Sequence, residues 1–230
     1  MAPLRAVFVG ENASGAATLW VTDGTDTGTV NFTTDATYSE LVSANVNPDF
    51  TLLGHELLFK GTDASGRTNL WVTDGTTVDT SEITVSSVSS VLSPNINPDF
   101  TVFGNEVLFT GYGSNGYPGV WVTNGTSAGT TELTVVGAAN NNGFYGSFAD
   151  FTVLGNEVLF VDTNRSGDAE LWVTNGTTAG TTQISVMRTA AQFLGYENPD
   201  FTVLGNKALF VGDDNTGRFS LWVTDGTASV

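Results

Sequence analysis

Glu170-Leu171-Trp172-Val173-Thr174-Asn175-Gly176-Thr177, followed by Gly180-Thr181, is one of five near-copies of a single phrase. The copies centre on Trp20, Trp71, Trp121, Trp172 and Trp222, all the tryptophans of this 230-residue chain, at intervals of 51, 50, 51 and 50 residues. So regular a period means five copies of one supersecondary unit, and function is expected on a repeated surface rather than in a single active centre.

Working outward, a phenylalanine stands 12 residues before each tryptophan, at Phe8, Phe59, Phe109, Phe160 and Phe210. An invariant gap fits two paired strands, because a hairpin loop cannot change length without breaking register. The loops between them contain Gly15, Gly66, Gly116, Gly167 and Gly217, and the Asp-Gly or Asn-Gly pairs after each tryptophan supply the positive φ of another tight turn. Upstream of four copies lies Asp-Phe-Thr, beginning at Asp49, Asp99, Asp150 and Asp200. One unit therefore reads as strand A (Asp150 to Leu154), B (Glu157 to Val161), C (Glu170 to Thr174) and D (Thr181 to Val186), a four-stranded antiparallel meander.

Strand B is apolar on both sides, Val158 and Phe160 on one and Leu159 and Val161 on the other. A four-stranded sheet cannot cover both of its own faces, so neighbouring copies must. Radial stacking predicts an all-β, five-bladed β-propeller, with a β-sandwich or β-solenoid as alternatives. The repeats run over about 1–47, 48–97, 98–148, 149–198 and 199–230, which predicts one propeller domain over 1–230. The first blade is expected to lack strand A and the last strand D. Either the ring closes imperfectly there, or open edges pair with another copy and give a homo-oligomer.

Two stretches carry a family resemblance. Residues 198–212, NPDFTVLGNKALFVG, resemble the opening of a blade in TolB-like propellers, and Glu170 to Thr177 resembles the ELWxxDGT repeat of bacterial surface and secreted proteins. The likeness extends over all five copies, although Thr18, Asn69, Gly119 and Ser220 replace the leading glutamate and two copies carry Asn for Asp. It implies a propeller in an exported bacterial protein, secreted or at the cell surface, and leaves the ligand open because one fold hosts many functions.

Composition narrows the partners. A net charge of −17 repels phosphate backbones and anionic lipid, so neither nucleic acid nor membrane is expected. Cysteine is absent, which excludes disulfides and thiolate chemistry. Met1 to Gly10 lacks the apolar run of a signal peptide, so the expected location rests on the resemblance and the acidity.

No enzyme is expected. His55, the only histidine, occupies a turn position filled by Asn105, Asn156 and Asn206 in other copies, and reads as a turn residue. The four strand-A aspartates are equivalent to one another, whereas a glycosidase needs two carboxylates in unlike environments, so they read as Asx-type turns. The tryptophans read as packing between blades rather than as sugar platforms, being flanked by apolar residues on their strands.

Ligand binding is expected where the copies differ, in the B–C turns and D–A connections that emerge together at one end of a propeller. The candidates are Asp63, Arg67, Tyr112, Asn115, Tyr117, Phe144, Tyr145, Asn164, Arg165, Asp168, Tyr196, Asp213, Asp214 and Arg218. Rings beside amides, carboxylates and guanidinium groups suit a glycan, the ring stacking on its apolar face while polar groups meet its hydroxyls. The leading expectation is a non-catalytic, multivalent, lectin-like module. Its rival is a structural or adhesive domain that engages surface proteins or copies of itself, and a glycosidase-like enzyme ranks third. No cofactor is expected; calcium is open for the turns holding Asp162, Asp213 and Asp214, which lack a complete ligand loop of known spacing.

Overall fold

The computed structural model describes residues 5–33, 41–42, 47–134, 149–163, 169–184, 199–213 and 218–227, with Thr163 and Asp213 described by their backbone alone. These residues form five antiparallel sheets and no α-helix. The first sheet holds β1 (Ala6–Glu11), β2 (Ala17–Thr22) and β3 (Val30–Asn31). The second holds β4 (Thr51–Leu53), β5 (Glu56–Thr62), β6 (Thr68–Thr73) and β7 (Ser81–Ile83). The third is built of β8 (Thr101–Phe103), β9 (Glu106–Tyr112), β10 (Pro118–Thr123) and β11 (Thr131–Glu132). In the fourth are β12 (Thr152–Leu154), β13 (Glu157–Thr163), β14 (Ala169–Thr174) and β15 (Thr182–Gln183). The fifth holds β16 (Thr202–Leu204), β17 (Lys207–Asp213) and β18 (Phe219–Thr224). Every sheet is a meander in chain order, with four strands in the middle three and three in the first and last among the described residues. These are the blades of a five-bladed propeller.

Register explains the constant spacing of the sequence. Phe8, Phe59, Phe109, Phe160 and Phe210 stand directly opposite Trp20, Trp71, Trp121, Trp172 and Trp222. Moving either residue by one position would send its ring to the other face. The A–B hairpins turn at Gly54, Gly104, Gly155 and Gly205, whose φ values of 63° to 65° precede a residue of negative φ, as a type II′ turn requires.

The C–D connection is held by its own side chains. Asn175 Oδ1 accepts from the backbone N–H of Thr177 at 3.1 Å and from its hydroxyl at 2.7 Å, and Asp23, Asp74, Asn124 and Asp225 do the same for their threonines. Only an acceptor oxygen is used, which is why Asp and Asn alternate there. Beneath it the buried hydroxyls of Thr174 and Thr181 share a bond of 2.7 Å, repeated between Thr73 and Thr80. Asn175→Ala is expected to lower stability by about 1–2 kcal/mol and Asn175→Asp by under about 0.5 kcal/mol in urea unfolding.

Two strand boundaries differ from the sequence reading. Strand A of the fourth sheet begins at Thr152 rather than Asp150, because Asp150 is left-handed with φ 46°. Its strand D, predicted over Thr181 to Val186, is the short β15, and residues 185 and 186 lie outside the described residues.

The chain divides into two compact units. The first comprises Met1–Ile96 with Asn124–Thr130, and the second Asn97–Thr123 with Thr131–Val230. In the first, Leu19, Val21 and Phe32 of one blade pack against Phe59 and Trp71 of the next. In the second, Val120, Val122 and Leu133 pack against Phe160 and Trp172, and then Leu171, Val173 and Ile184 against Ala208 and Phe210 with Trp222 at the margin. Trp71 and Trp172 thus pack between blades, as expected, with Trp222 at the edge of such a core. No helix among the described residues is long and apolar enough to cross a membrane.

Candidate functional site

Strand A begins differently from the Asx turn predicted for its aspartate. Asn47 and Asn97 make that turn, their Oδ1 atoms accepting from the N–H groups of Asp49 and Asp99 at 3.2 and 3.1 Å. Asp49, Asp99, Asp150 and Asp200 then take φ values of 54°, 53°, 46° and 52°, a region in which Asp and Asn are enriched. The left-handed residue shifts the pairing by one: the Lys60 N–H meets the Pro48 carbonyl at 2.7 Å, and Thr110 meets Pro98 in the same way. This is a bulge at the mouth of strand A.

The turned carboxylates reach the next blade. Asp99 Oδ2 accepts from the Phe151 N–H at 3.0 Å, and Asp150 accepts from the N–H of Phe201. Burial raises the pKa of Asp99; Asp150 is raised first by burial and then by the charge of Asp99. The second oxygen of Asp150 is buried without a hydrogen-bond partner. In the first unit Asp49 instead pairs at 3.3 Å with the buried Lys60, whose ammonium also donates to the Ile96 carbonyl at 2.9 Å. These aspartates fasten strand A and have a structural role.

A cavity of about 190 Å³ opens in the second blade, lined by Asp63, Arg67, Asn69, Glu82, Thr84, Val85, Val88, Ser89 and Val91. It brings together the B–C turn, strand β6, strand β7 and the start of the D–A connection, as expected for loops that emerge at one end of a blade. The connection is pinned to β6, where Ser90 donates to the Thr68 carbonyl at 2.6 Å and the Val91 N–H donates to Asn69 Oδ1 at 2.8 Å.

The cavity's two carboxylates have unlike environments. Asp63 is held below the usual carboxylate range, chiefly by the Arg67 N–H; its Oδ1 accepts from Ser65 and Arg67 at 2.7 and 2.9 Å while its Oδ2 meets Arg67 Nε at 3.1 Å. Glu82 is pushed up, first by burial and then by the Asp63 charge, and accepts from Asn69 Nδ2 at 2.6 Å. Unlike carboxylates are the raw material of acid–base catalysis. Asp63, however, already accepts three bonds from its own turn, which leaves it poorly placed to act as base or nucleophile.

Of the predicted site residues, Asp63 and Arg67 line this cavity. Tyr112, Asn115 and Tyr117 belong to the corresponding turn of the third blade, where Asn115 Oδ1 accepts from the Tyr117 N–H at 3.0 Å and Tyr117 is exposed. There Glu132, raised by burial, stands over Gly113 and Gly119 where Glu82 meets Asn69. Arg218 is exposed beside β18. Phe144, Tyr145, Asn164, Arg165, Asp168, Tyr196 and Asp214 lie outside the described residues, as does the side chain of Asp213. His55 is an exposed residue of its A–B turn. Among the described residues no three His, Asp or Glu side chains gather around a cation position. Sequence reasoning missed Asn69 and Glu82; the available signal was that position 69 is Thr, Asn, Gly, Glu or Ser across the copies.

No protein-family model matches the chain, and no curated protein matches it. Solved structures do. A protein assigned as TolB from Agrobacterium tumefaciens matches at 15% identity over 98% of this chain and 79% of that one, with a TM-score of 0.46. TolB from Acinetobacter baumannii matches at 16% identity over 94% and 50% of the two chains, with a TM-score of 0.42. A puromycin hydrolase matches at 15% identity over 96% of this chain and 34% of that one, with a TM-score of 0.50. The chain thus spans half of one of these proteins and a third of another. Likeness at such identity speaks for nothing beyond the fold; the five meander sheets themselves make this an all-β chain of β-propeller architecture.

Proposed function

We propose that the chain is a non-catalytic, lectin-like binding module of an exported bacterial surface protein of the ELWxxDGT-repeat kind. The observation that carries the ligand class is the cavity of the second blade. It sets a guanidinium, an amide and a carboxylate beside the aliphatic Val85, Val88 and Val91, the mixture of donors, acceptors and apolar surface that a sugar ring presents in return. The third blade sets Glu132 over Gly113 and Gly119 at the corresponding place, and several related but unequal sites of this kind would gain avidity on a polymeric glycan. Family and export are supported by the repeat phrase in all five copies. A glycan array read with calcium and with EGTA tests the proposal, with Glu82→Gln and Arg67→Ala each expected to weaken binding about tenfold, or about 1.4 kcal/mol. Absence of glycan binding at any calcium level overturns it, and turnover of a glycoside that Glu82→Gln abolishes would convert the reading to hydrolysis.

A further inference from the structure

The Asn69 and Glu82 pair of the second-blade cavity occupies a place that the first four blades each fill in their own way. Strand D sets one residue opposite the tryptophan of strand C: Asn31, Glu82, Glu132 and Gln183 face Trp20, Trp71, Trp121 and Trp172. The residue two places before each tryptophan, Thr18, Asn69, Gly119 or Glu170, lies on the same side of its strand and so neighbours that strand-D residue. Asn31 Nδ2 donates to Thr18 Oγ1 at 3.1 Å where Asn69 Nδ2 donates to Glu82 Oε1 at 2.6 Å. Three of the four pairs hold one carboxylate and none holds a basic residue, so the copies keep one sign of charge here although its carrier changes.

In the second blade that charge is left free. Arg67 is the one cation among the lining residues, and Asp63 takes it up: Nε meets Asp63 Oδ2 at 3.1 Å while Nη2 donates to Ser65 Oγ at 3.4 Å. Glu82 stands apart from this pair. Its Oε1 accepts from the Asn69 amide, and its Oε2 has no partner among the described residues. Burial raises the Glu82 pKa first, and Asp63 then raises it by more than Arg67 lowers it, as a guanidinium already spent on Asp63 requires. With Asp63 and Arg67 cancelling, the cavity keeps one uncompensated carboxylate beside the half-buried Val85 and Val88. A neutral sugar leaves that carboxylate without a partner, a uronate repels it, and an ammonium satisfies it.

We propose that the second-blade cavity binds an amine-bearing sugar of a cationic glycan, with the ammonium on Glu82 Oε2 and the apolar ring face on Val85 and Val88. The inference rests on the reading of this cavity as a glycan site and adds the charge of the ligand to it. The net charge of −17 supports it at longer range, since a field of that sign draws a polycation toward the chain.

Titration calorimetry of the full chain with glucosamine oligomers and with N-acetylglucosamine oligomers of equal length tests this, at a mildly acidic pH where ammonium and carboxylate are both charged. Wild type is expected to bind the glucosamine oligomer at least about tenfold tighter, and the gap is expected to narrow as salt rises. Glu82→Gln is expected to bring the two affinities within about twofold of each other. It keeps the acceptor for Asn69, and Gln183 already stands at the equivalent place in the fourth blade, so the variant is expected to fold. Asp79→Asn removes the same charge from the exposed C–D turn at the other end of the blade and is expected to keep the gap. Equal binding of both oligomers by wild type overturns the inference and leaves the glycan site standing. A gap that survives Glu82→Gln also overturns it, by assigning the preference to the overall charge, and so does tighter binding of a uronate oligomer. A lysine oligomer that binds as tightly as the glucosamine oligomer, and loses binding in Glu82→Gln, would make this a site for basic peptides instead. If neither sugar oligomer binds, the inference fails, and the other glycans of the array show whether the glycan reading fails with it.

Discussion

Trp172→Ala is expected to lower the folding free energy by about 3–5 kcal/mol, a large part of the roughly 5–15 kcal/mol typical of a domain. Trp172 is fully buried, stacks on the equally buried Phe160 with centroids 6.4 Å apart, and sits in a core built from two blades. Removing the indole leaves a cavity that two sheets, each pinned by its register, can close only in part. Trp20→Ala makes the paired measurement. Trp20 stacks on Phe8 at the same centroid distance of 6.4 Å but is only partly buried. It is expected to lose less than about half as much, because less apolar area leaves water when it folds. Equal losses in urea titrations of the two variants would refute the account of burial given for the two blades.

Asp99→Ala is expected to be the most damaging change at a polar position, by about 2–4 kcal/mol. Alanine tolerates the left-handed backbone of φ 53° poorly, and the Phe151 N–H loses the carboxylate that joins one blade to the next. Asp99→Asn keeps both the conformation and the acceptor and removes a charge disfavoured by burial, so it is expected to match or exceed wild type at pH 7.

The pH dependence follows from the same residues. The pKa values of Asp99 and Asp150 are raised in the folded state above the unfolded value of 3.8, so the folded protein holds their protons more tightly. Their contribution is present in full below that value and is lost as pH rises through the folded values. Thermal unfolding midpoints are therefore expected to climb as pH falls from 7 toward about 4, and the Asp99→Asn, Asp150→Asn double variant is expected to flatten that climb. Asp23, Asp63 and Asp225, lowered by hydrogen bonds within their turns, act oppositely, since their contribution is lost as pH falls below the ordinary carboxylate value. A mildly acidic optimum results. A midpoint that falls steadily from pH 7 downward, with no difference in the double variant, would contradict the role given to the strand-A aspartates.

The cavity shows where reading the sequence stopped. Asp63 and Arg67 were legible because they sit in a B–C turn that differs between copies. Asn69 and Glu82 were not, because each lies inside a strand whose neighbours repeat faithfully, and a polar residue in a strand gains a site only when a neighbouring strand sets a partner beside it. The Asn69 bond to Glu82 spans 13 residues of sequence and the Val91 bond to Asn69 spans 22, both across strand or connection rather than along it.

By itself the sequence determined the unit and its number: five Phe-to-Trp hairpins at a constant 12-residue gap, Gly at the turns, and strands apolar on both sides. Local physics suffices for this, because register, turn chemistry and two-residue alternation are all written in neighbouring residues. Tertiary structure alone decided that Asp99 and Asp150 fasten one blade to the next and that Asn69 and Glu82 share a cavity with Asp63. Asn69 and Gly119 occupy the same place in the same phrase, yet one donates to Glu82 at 2.6 Å and the other lies beneath Glu132. What a residue does depends on what stands opposite it, and a repeated phrase is nearly the same whatever its neighbours are.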